Sequence, residues 1–350
     1  MSTKRKYCSS YFSLIASILI LIVSILIIYL HNLISPSLEY PVKNLKDEVV
    51  VITGGCSGVG LETTKMLFLL NATIIIGCRN LTIGNFICNY LNNKNKNSGI
   101  CYSFELDLAS FKSTREFASN IGFLVGKMPN ILINNAAIRD NHLTTTEDGI
   151  ESQYQINHLS HFLLTHLLLP YMLRSSKQIR IVHVSSSAHM FGTIDKEAYC
   201  KNCKNIDSEL FNTNQYTSLE GVYGDTKLMQ ILFSNELQRR FDSSVNKKKD
   251  LKSKAISVAV HPGFVSSNIG FNDTRLLQYL VLLTRPLLAR TSQQGAISVV
   301  FACINSGLTG GEYIENSQVS SASHKAGNIS DAFWLWLTSS AITNITTIDD

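Results

Sequence analysis

Hydrophobic residues along the chain fall into short runs that alternate with stretches of helical spacing. Val49–Ile52 is a continuous run of β-branched residues, typical of a strand buried on both faces. The same pattern predicts strands at Thr73–Ile76, Tyr102–Leu106, Ile131–Ile133, Ile179–Val184, Ala255–Val260 and Gly311–Ile314. Helical spacing fills the gaps, most clearly over Leu61–Leu70, Ile150–Met172 and Tyr223–Arg240. This alternation predicts an α/β fold with one doubly wound parallel sheet.

A longer apolar run stands apart near the amino terminus. Tyr11–Leu30 holds no charged residue, and a helix of that length spans about 30 Å, the hydrocarbon core of a bilayer. A cleaved signal peptide normally has a shorter apolar region, so a retained transmembrane helix is favoured. The predicted organisation is a basic amino terminus at 1–10, an anchor at 11–30, a linker at 31–46, a Rossmann-type domain at 47–320 with a polar insertion at about 195–219, and a carboxyl-terminal tail at 321–350.

Composition narrows the class of protein. Hydrophobic residues make up 45% of the chain and charged residues 16%, as expected of a globular protein and not of a disordered one. The net charge of +5 is scattered, with no basic stripe carrying aromatic residues, so we expect no nucleic-acid partner.

The 8 cysteines have irregular spacings. Cys56 and Cys78 are interpreted as free thiols, because a chain of this length does not need a disulfide framework. Cys200 and Cys203 form a C-x-x-C pair with no second ligand pair behind it, so we predict no metal site.

A glycine-rich turn follows the first predicted strand. It reads Thr53-Gly-Gly-Cys-Ser-Gly-Val-Gly60 and leads into a predicted helix. Glycines there let the backbone approach a pyrophosphate, and the helix amino terminus favours its negative charge. This strand–turn–helix context predicts a dinucleotide site.

Arg79 follows the second predicted strand, where an NAD enzyme usually places an acidic residue for the ribose hydroxyls. An arginine there can pair with a 2′-phosphate, so we predict NADP(H) in preference to NAD(H). The alternative is a solvated charge at the end of a strand.

Tyr223 and Lys227 lie four residues apart in a predicted helix and therefore on one helix face. A nearby ammonium group favours the phenolate and lowers the pKa of a tyrosine. Such a tyrosine can exchange a proton with an alcohol or carbonyl oxygen.

Together these motifs resemble the short-chain dehydrogenase/reductase family, in family order, over residues 46–316. Within it, Gly77-Cys-Arg-Asn80 and the Asn157–Thr165 segment are most similar to membrane-anchored retinol dehydrogenases. The resemblance implies a catalytic set of Asn157, Ser186, Tyr223 and Lys227. It implies a cofactor-binding set of Thr53, Gly54, Ser57, Gly58, Val59, Gly60, Arg79, Asn80, Asp107, Leu108, Asn135, Ala136, Tyr223, Lys227, Pro262, Gly263, Val265 and Ser267.

The resemblance also implies a role for each catalytic residue. Tyr223 is the acid or base, Ser186 holds the substrate oxygen, and Lys227 lowers the pKa of Tyr223 and contacts the nicotinamide ribose. Asn157 holds a water that links Lys227 to solvent.

Leu276–Leu288 is rich in leucine and lies where the family has its variable substrate lid. It could wall a lipophilic pocket, touch the bilayer, or pack in the core or a homodimer. With the anchor, it favours a hydrophobic alcohol, aldehyde or ketone such as a retinoid, a steroid or a lipid-derived carbonyl. We expect a membrane protein of the endoplasmic reticulum with a cytosolic catalytic domain.

Two alternative functions, from other classes of protein, stay open. One is a catalytically idle NADP-binding protein that acts as a membrane-tethered sensor or scaffold. The other is an interaction protein that binds a partner through the Cys200–Cys203 insertion and the polar tail. Intact residues at all of the catalytic positions argue against an idle site.

Overall fold

A computed structural model describes residues 22, 25, 38–39, 42–94, 98–124, 128–140, 142–199, 219–243, 255–265 and 289–345. Within these ranges, one sheet of eight strands runs in the order β3-β2-β1-β4-β5-β6-β7-β8. The strands are β1 (Val49–Thr53), β2 (Thr73–Cys78), β3 (Ile100–Glu105), β4 (Ile131–Asn134), β5 (Ile179–Val184), β6 (Ala255–His261), β7 (Tyr313–Glu315) and β8 (Gln318–Ser320). All neighbouring pairs are parallel except β7 and β8.

Helices cover both faces of the sheet. They are α1 (Gly58–Leu69), α2 (Leu81–Lys94), α3 (Phe111–Leu124), α4 (Ser160–Met172), α5 (Leu219–Ser243), α6 (Ser292–Ile304) and α7 (Ile329–Thr343). One face packs against α1, α2 and α6, and the other against α3, α4, α5 and α7. The parallel doubly wound sheet predicted from the hydrophobic pattern is therefore confirmed.

The structure adds a strand that the pattern did not predict. β8 returns antiparallel to β7 through Asn316 and Ser317, which adopt positive φ angles of 54° and 56°. Its three residues are all exposed. A strand without a buried face leaves no hydrophobic signal, which explains why the sequence analysis missed it.

The segment set apart as a tail at 321–350 contains a packed helix. Asn328 caps α7 by accepting hydrogen bonds from the backbone N–H groups of Ser330 and Asp331. Leu335 and Trp336 are buried, and the guanidinium of Arg240 on α5 lies 4.0 Å from the Trp336 ring centroid. We therefore propose that the folded domain extends beyond residue 320 to the end of α7.

Several sequence predictions fall outside the described residues. They include most of the apolar run at 11–30, the insertion at 200–218 with Cys200 and Cys203, and the stretch Leu276–Leu288. The start of the insertion is described as a helical turn, Lys196–Tyr199, whose Tyr199 hydroxyl donates to Asp225 at 2.8 Å. No helix in the described part of the chain is both long enough and apolar enough to cross a membrane.

The prediction that Cys56 and Cys78 are free thiols is wrong. They form a disulfide, with Cα atoms 6.3 Å apart. The parallel register pairs Thr53 with Gly77, which brings the turn after β1 beside the end of β2. Spacing along the chain does not reveal this neighbourhood. A second disulfide joins Cys88 on α2 to Cys101 on β3.

Candidate active site

The strand order reverses between β1 and β4, whose carboxyl ends therefore border a crevice. Ligands of open α/β sheets bind at such a switch point. The glycine-rich turn lies there. Gly54 and Gly58 adopt positive φ angles of 65° and 53°, which favour glycine. A Cβ atom on Gly60 would collide with the carbonyl oxygen of Gly54, so only glycine fits this close approach.

The amino terminus of α1 fits the pyrophosphate of a dinucleotide. The first backbone N–H groups of a helix have no partner within it, and they attract anions. Ser57, the N-cap residue, makes no side-chain capping bond. A Cβ atom on Gly58 would meet nothing within 4 Å, which leaves open space at the helix end. Turn and helix together form the cradle that a dinucleotide requires.

The hydroxyl of Thr53 holds the two sides of the crevice together. Its oxygen accepts hydrogen bonds from the backbone N–H groups of Asn135 and Ala136, both at 2.9 Å. It also lies 2.9 Å from His161 Nε2. Because two donors already point at the oxygen, its own proton is directed to His161. Asn135 Nδ2 closes the contact by donating to the Thr53 carbonyl at 2.8 Å.

Residues predicted to contact the adenosine lie beyond the ends of β2 and β3. Arg79 is exposed directly after β2. Asn80 follows it and accepts a hydrogen bond from the N–H of Ile83, which stabilises the start of α2. Asp107 accepts a hydrogen bond from the N–H of Ala109, and the carbonyl of Leu108 accepts one from Ser160. These residues border the same crevice as the glycine-rich turn.

On the nicotinamide side, Pro262, Gly263 and Val265 follow β6. Gly263 has a positive φ of 88°, and a Cβ atom there would press on the guanidinium of Arg290. Val59 and Val265 both lie against Gly295 of α6, so the glycine-rich turn and this segment meet. Ser267 lies outside the described residues.

Ser186 and Tyr223 face one another at the end of β5. Burial raises the pKa of Tyr223, whereas a hydrogen-bonding interaction with the Ser186 side chain and the charge of Arg139 act in the opposite direction. The neighbouring Ser185 has a different task, because its hydroxyl donates to the carbonyl of Lys227 at 2.8 Å. The structure thus distinguishes which serine faces the tyrosine.

Lys227 is fully buried one helical turn after Tyr223. Its Nζ lies 5.6 Å from the Tyr223 ring centroid and donates to the carbonyl of Val184 at 3.0 Å. Burial lowers the pKa of Lys227 to about 8. An ammonium group donates up to three hydrogen bonds, so this contact is compatible with a further bond to a ribose hydroxyl.

Asn157 is held by hydrogen bonds to backbone and side-chain groups of its neighbours. Its Oδ1 accepts from the N–H of Ile138 at 2.8 Å, and its Nδ2 donates to the Ile138 carbonyl at 2.9 Å and to Thr226 Oγ1 at 3.1 Å. Its carbonyl oxygen contacts His161 and Gln230. These contacts fix the position of Asn157 among its neighbours, and its predicted role in holding a relay water stays a prediction.

Sequence reasoning missed Arg139, His161, Thr226 and Gln230. His161 lies four residues after Asn157, and Gln230 three residues after Lys227, so helix-face spacing carried a signal for both. The π-helical turn Gln155–Leu159, which carries Asn157, leaves no such signal. Hydrophobic periodicity does not show one extra residue in a helical turn.

Four histidines behind the site are buried as neutral imidazoles. Burial lowers the pKa of His158 and His183 to about 3 and that of His161 and His166 to about 4. They pack among aromatic rings. For example, the ring centroids of His166 and Phe162 lie 4.2 Å apart. They support the core and do not reach the crevice as acids or bases.

Comparisons with known proteins agree with this geometry. The family model for short chain dehydrogenases matches residues 48–201. The WW domain-containing oxidoreductase of Gallus gallus is 35% identical over 84% of this chain and 67% of its own length. Retinol dehydrogenase 12 of Bos taurus is 34% identical over 83% of this chain and 84% of its own length.

A solved structure extends the agreement to the fold. The crystal structure of an uncharacterised protein from Mycobacterium paratuberculosis matches with a TM-score of 0.67 at 28% identity, covering 89% of this chain and 99% of that chain. The chain therefore belongs to the short-chain dehydrogenase family and is close to the retinol dehydrogenases. It is an oxidoreductase of alcohol and carbonyl groups with a nicotinamide cofactor.

The buried histidines predict how stability depends on pH. Their folded pKa values lie below the unfolded value of about 6.5, so their contribution is complete above that pH and is lost as pH falls towards 4. Each adds a slope of up to about 1.4 kcal/mol per pH unit. Urea unfolding of His166→Phe should show a shallower loss of stability below pH 6.5 than wild type.

The matched control is His142→Phe, at an exposed histidine, which should keep the wild-type slope. An unchanged slope in His166→Phe would show that His166 is not neutral in the folded protein.

Proposed function

We propose that the protein is an NADP(H)-dependent oxidoreductase that interconverts a lipophilic alcohol with its aldehyde or ketone, using Tyr223 as the acid or base. The observation that carries the proposal is the arrangement around Tyr223: the Ser186 side chain opposes the rise in its pKa, and Lys227 Nζ lies 5.6 Å from its ring centroid. The pair lies at the carboxyl ends of the strands, beside a dinucleotide cradle. No observation favours an idle sensor or scaffold.

Each side chain contributes one physical effect. Ser186 supplies a hydrogen bond to the substrate oxygen, which stabilises charge that develops there. Tyr223 gives a proton to that oxygen during reduction and takes it back during oxidation. Lys227 favours the phenolate by its charge. The nicotinamide supplies or accepts the hydride.

Arg79 supports the choice of NADP(H). It is exposed directly after β2, and the Cys56–Cys78 disulfide fixes that strand end to the glycine-rich turn. A guanidinium there can form charge-assisted hydrogen bonds with a 2′-phosphate. The end of β2 carries no carboxylate that would select the 2′-hydroxyl of NAD.

The lipophilic substrate class rests on different support. The apolar run Tyr11–Leu30 is long enough to anchor the chain in a membrane, and one relative is named retinol dehydrogenase 12. We propose attachment to a membrane of the endoplasmic reticulum. Disulfides are rare in the cytosol, so the two disulfides weigh against the cytosolic placement expected from the sequence.

A substrate panel tests the proposed function. Detergent-solubilised protein and NADPH are incubated with a retinaldehyde, a steroid ketone, a long-chain aldehyde and polar sugars, and the loss of reduced-nicotinamide absorbance is followed. We expect turnover of at least one lipophilic carbonyl. Turnover of polar sugars alone, or of none, would contradict the assignment.

Arg79→Asp tests the choice of cofactor. It removes the phosphate partner and adds a repelling charge, so the Kd for NADP(H) should rise about 10- to 100-fold while that for NAD(H) changes little. Binding is measured by calorimetry, without substrate. Arg174→Asp, at an exposed arginine outside the crevice, is the control. An equal rise in Kd for both cofactors would contradict the NADP assignment.

A further inference from the structure

We propose that Arg139 is an additional positioning residue for the reaction: its guanidinium over the Tyr223 ring favours the phenolate form of Tyr223. Arg139 would thereby set the pH range in which the site transfers a proton. The inference rests on the role of Tyr223 in the proposed function and adds a second cation to it. Arg139 is not one of the four catalytic residues that the family resemblance implies.

Two cations from different elements lie within about 6 Å of the centroid of one ring. The Cζ atom of Arg139 lies 5.8 Å from the Tyr223 ring centroid, and Lys227 Nζ lies 5.6 Å from it. A cation within about 6 Å of a centroid is attracted by the electrons of the ring. A phenolate ring holds more negative charge than a phenol ring, so both cations bind the ionised form more strongly.

The backbone next to Arg139 is fixed. Asn157 bonds to both the N–H and the carbonyl of Ile138, the residue before Arg139. The same Asn157 side chain donates to Thr226, whose hydroxyl donates to the Tyr223 carbonyl at 2.9 Å. One amide therefore sets the place of Arg139 relative to the helix that carries Tyr223.

The two cations differ in how they respond to pH. Burial lowers the pKa of Lys227 to about 8, so its charge falls away in the alkaline range. A guanidinium stays protonated throughout the working range of a protein. The charge of Arg139 opposes the rise in the pKa of Tyr223 that burial causes.

The other polar groups around Tyr223 come from separate elements. Ser186, from the segment after β5, favours the ionised form of Tyr223. Asp140 follows Arg139 in the chain and accepts from the N–H of His142 at 3.0 Å. Asp225, on the same helix as Tyr223, accepts from the N–H of Thr193 and the hydroxyl of Tyr199. Both carboxylates are thus engaged by donors other than Tyr223.

The test compares pH profiles of kcat/KM for wild type, Arg139→Met and Arg139→Lys. Oxidation needs the phenolate and rises with pH, whereas reduction needs the phenol and falls with pH. Loss of the Arg139 cation should move both the rise of oxidation and the fall of reduction to higher pH. At a pH below the rise of the oxidation profile, the kcat/KM for oxidation by Arg139→Met should be about 3- to 10-fold lower than that of wild type. Arg139→Lys should stay near the wild-type profile.

Arg174→Met is the matched control. Arg174 also lies over a tyrosine ring, with its Cζ 5.5 Å from the centroid of Tyr171, but away from the crevice. Its profile should equal that of wild type. If Arg139→Met lowers kcat/KM equally at every pH, or leaves the profile unchanged, Arg139 has no electrostatic effect on Tyr223 and the inference is wrong.

A second readout needs no substrate and separates this inference from the proposed function. The ultraviolet tyrosinate signal is titrated in each protein, and subtraction of the Tyr223→Phe signal isolates Tyr223 from the other tyrosines. Arg139→Met should move this transition to higher pH even if no carbonyl in the panel is turned over. An unmoved transition would overturn the inference, whatever the panel shows.

Discussion

The geometry of the site depends on one buried amide, that of Asn157. Its side chain joins three pieces of backbone, namely the π-helical turn before α4, the segment after β4 and the helix α5. The first and third of these come together only in the folded chain, because Asn157 and Thr226 are 69 residues apart. A buried amide that satisfies its hydrogen bonds in only one arrangement excludes other packings. That constraint places the Tyr223 helix against the crevice.

Burial and charge act against each other at Tyr223. Removing the phenol from water disfavours its ionised form, and the charge of Arg139 favours it. The ammonium group of Lys227 lies near the same ring. The same burial lowers the pKa of Lys227, so the apolar surroundings weaken one of the two cations. A site of this kind balances a low dielectric, which strengthens each charge interaction, against the cost of holding charge there.

The fold and the site differed in how much of each could be predicted from sequence. Buried strands such as β1 and β2 are continuous β-branched runs, and the glycine-rich turn has the spacing its conformation demands. The exposed β8 has no such pattern. The disulfide between Cys56 and Cys78 depends on a strand register that the sequence does not show.

The functional residues also divide into those that sequence motifs predict and those that only the folded structure shows. Ser186, Tyr223 and Lys227 were recognised through motifs, and the structure brings them together. The hydrogen bonds of the Asn157 side chain were not predictable, because they depend on which backbone groups lie opposite its amide. Arg139 lies in no motif, and only the three-dimensional neighbourhood places it over Tyr223.

The central claim is that the oxygen of Tyr223 transfers the proton. It is tested most directly by comparing Tyr223→Phe with wild type in single-turnover reduction, with cofactor binding measured on the same samples. The account predicts that the chemical step is lost, by at least about 100-fold, while the Kd for NADPH stays nearly unchanged. Substantial residual reduction with intact binding would contradict it, because phenylalanine has no proton to give.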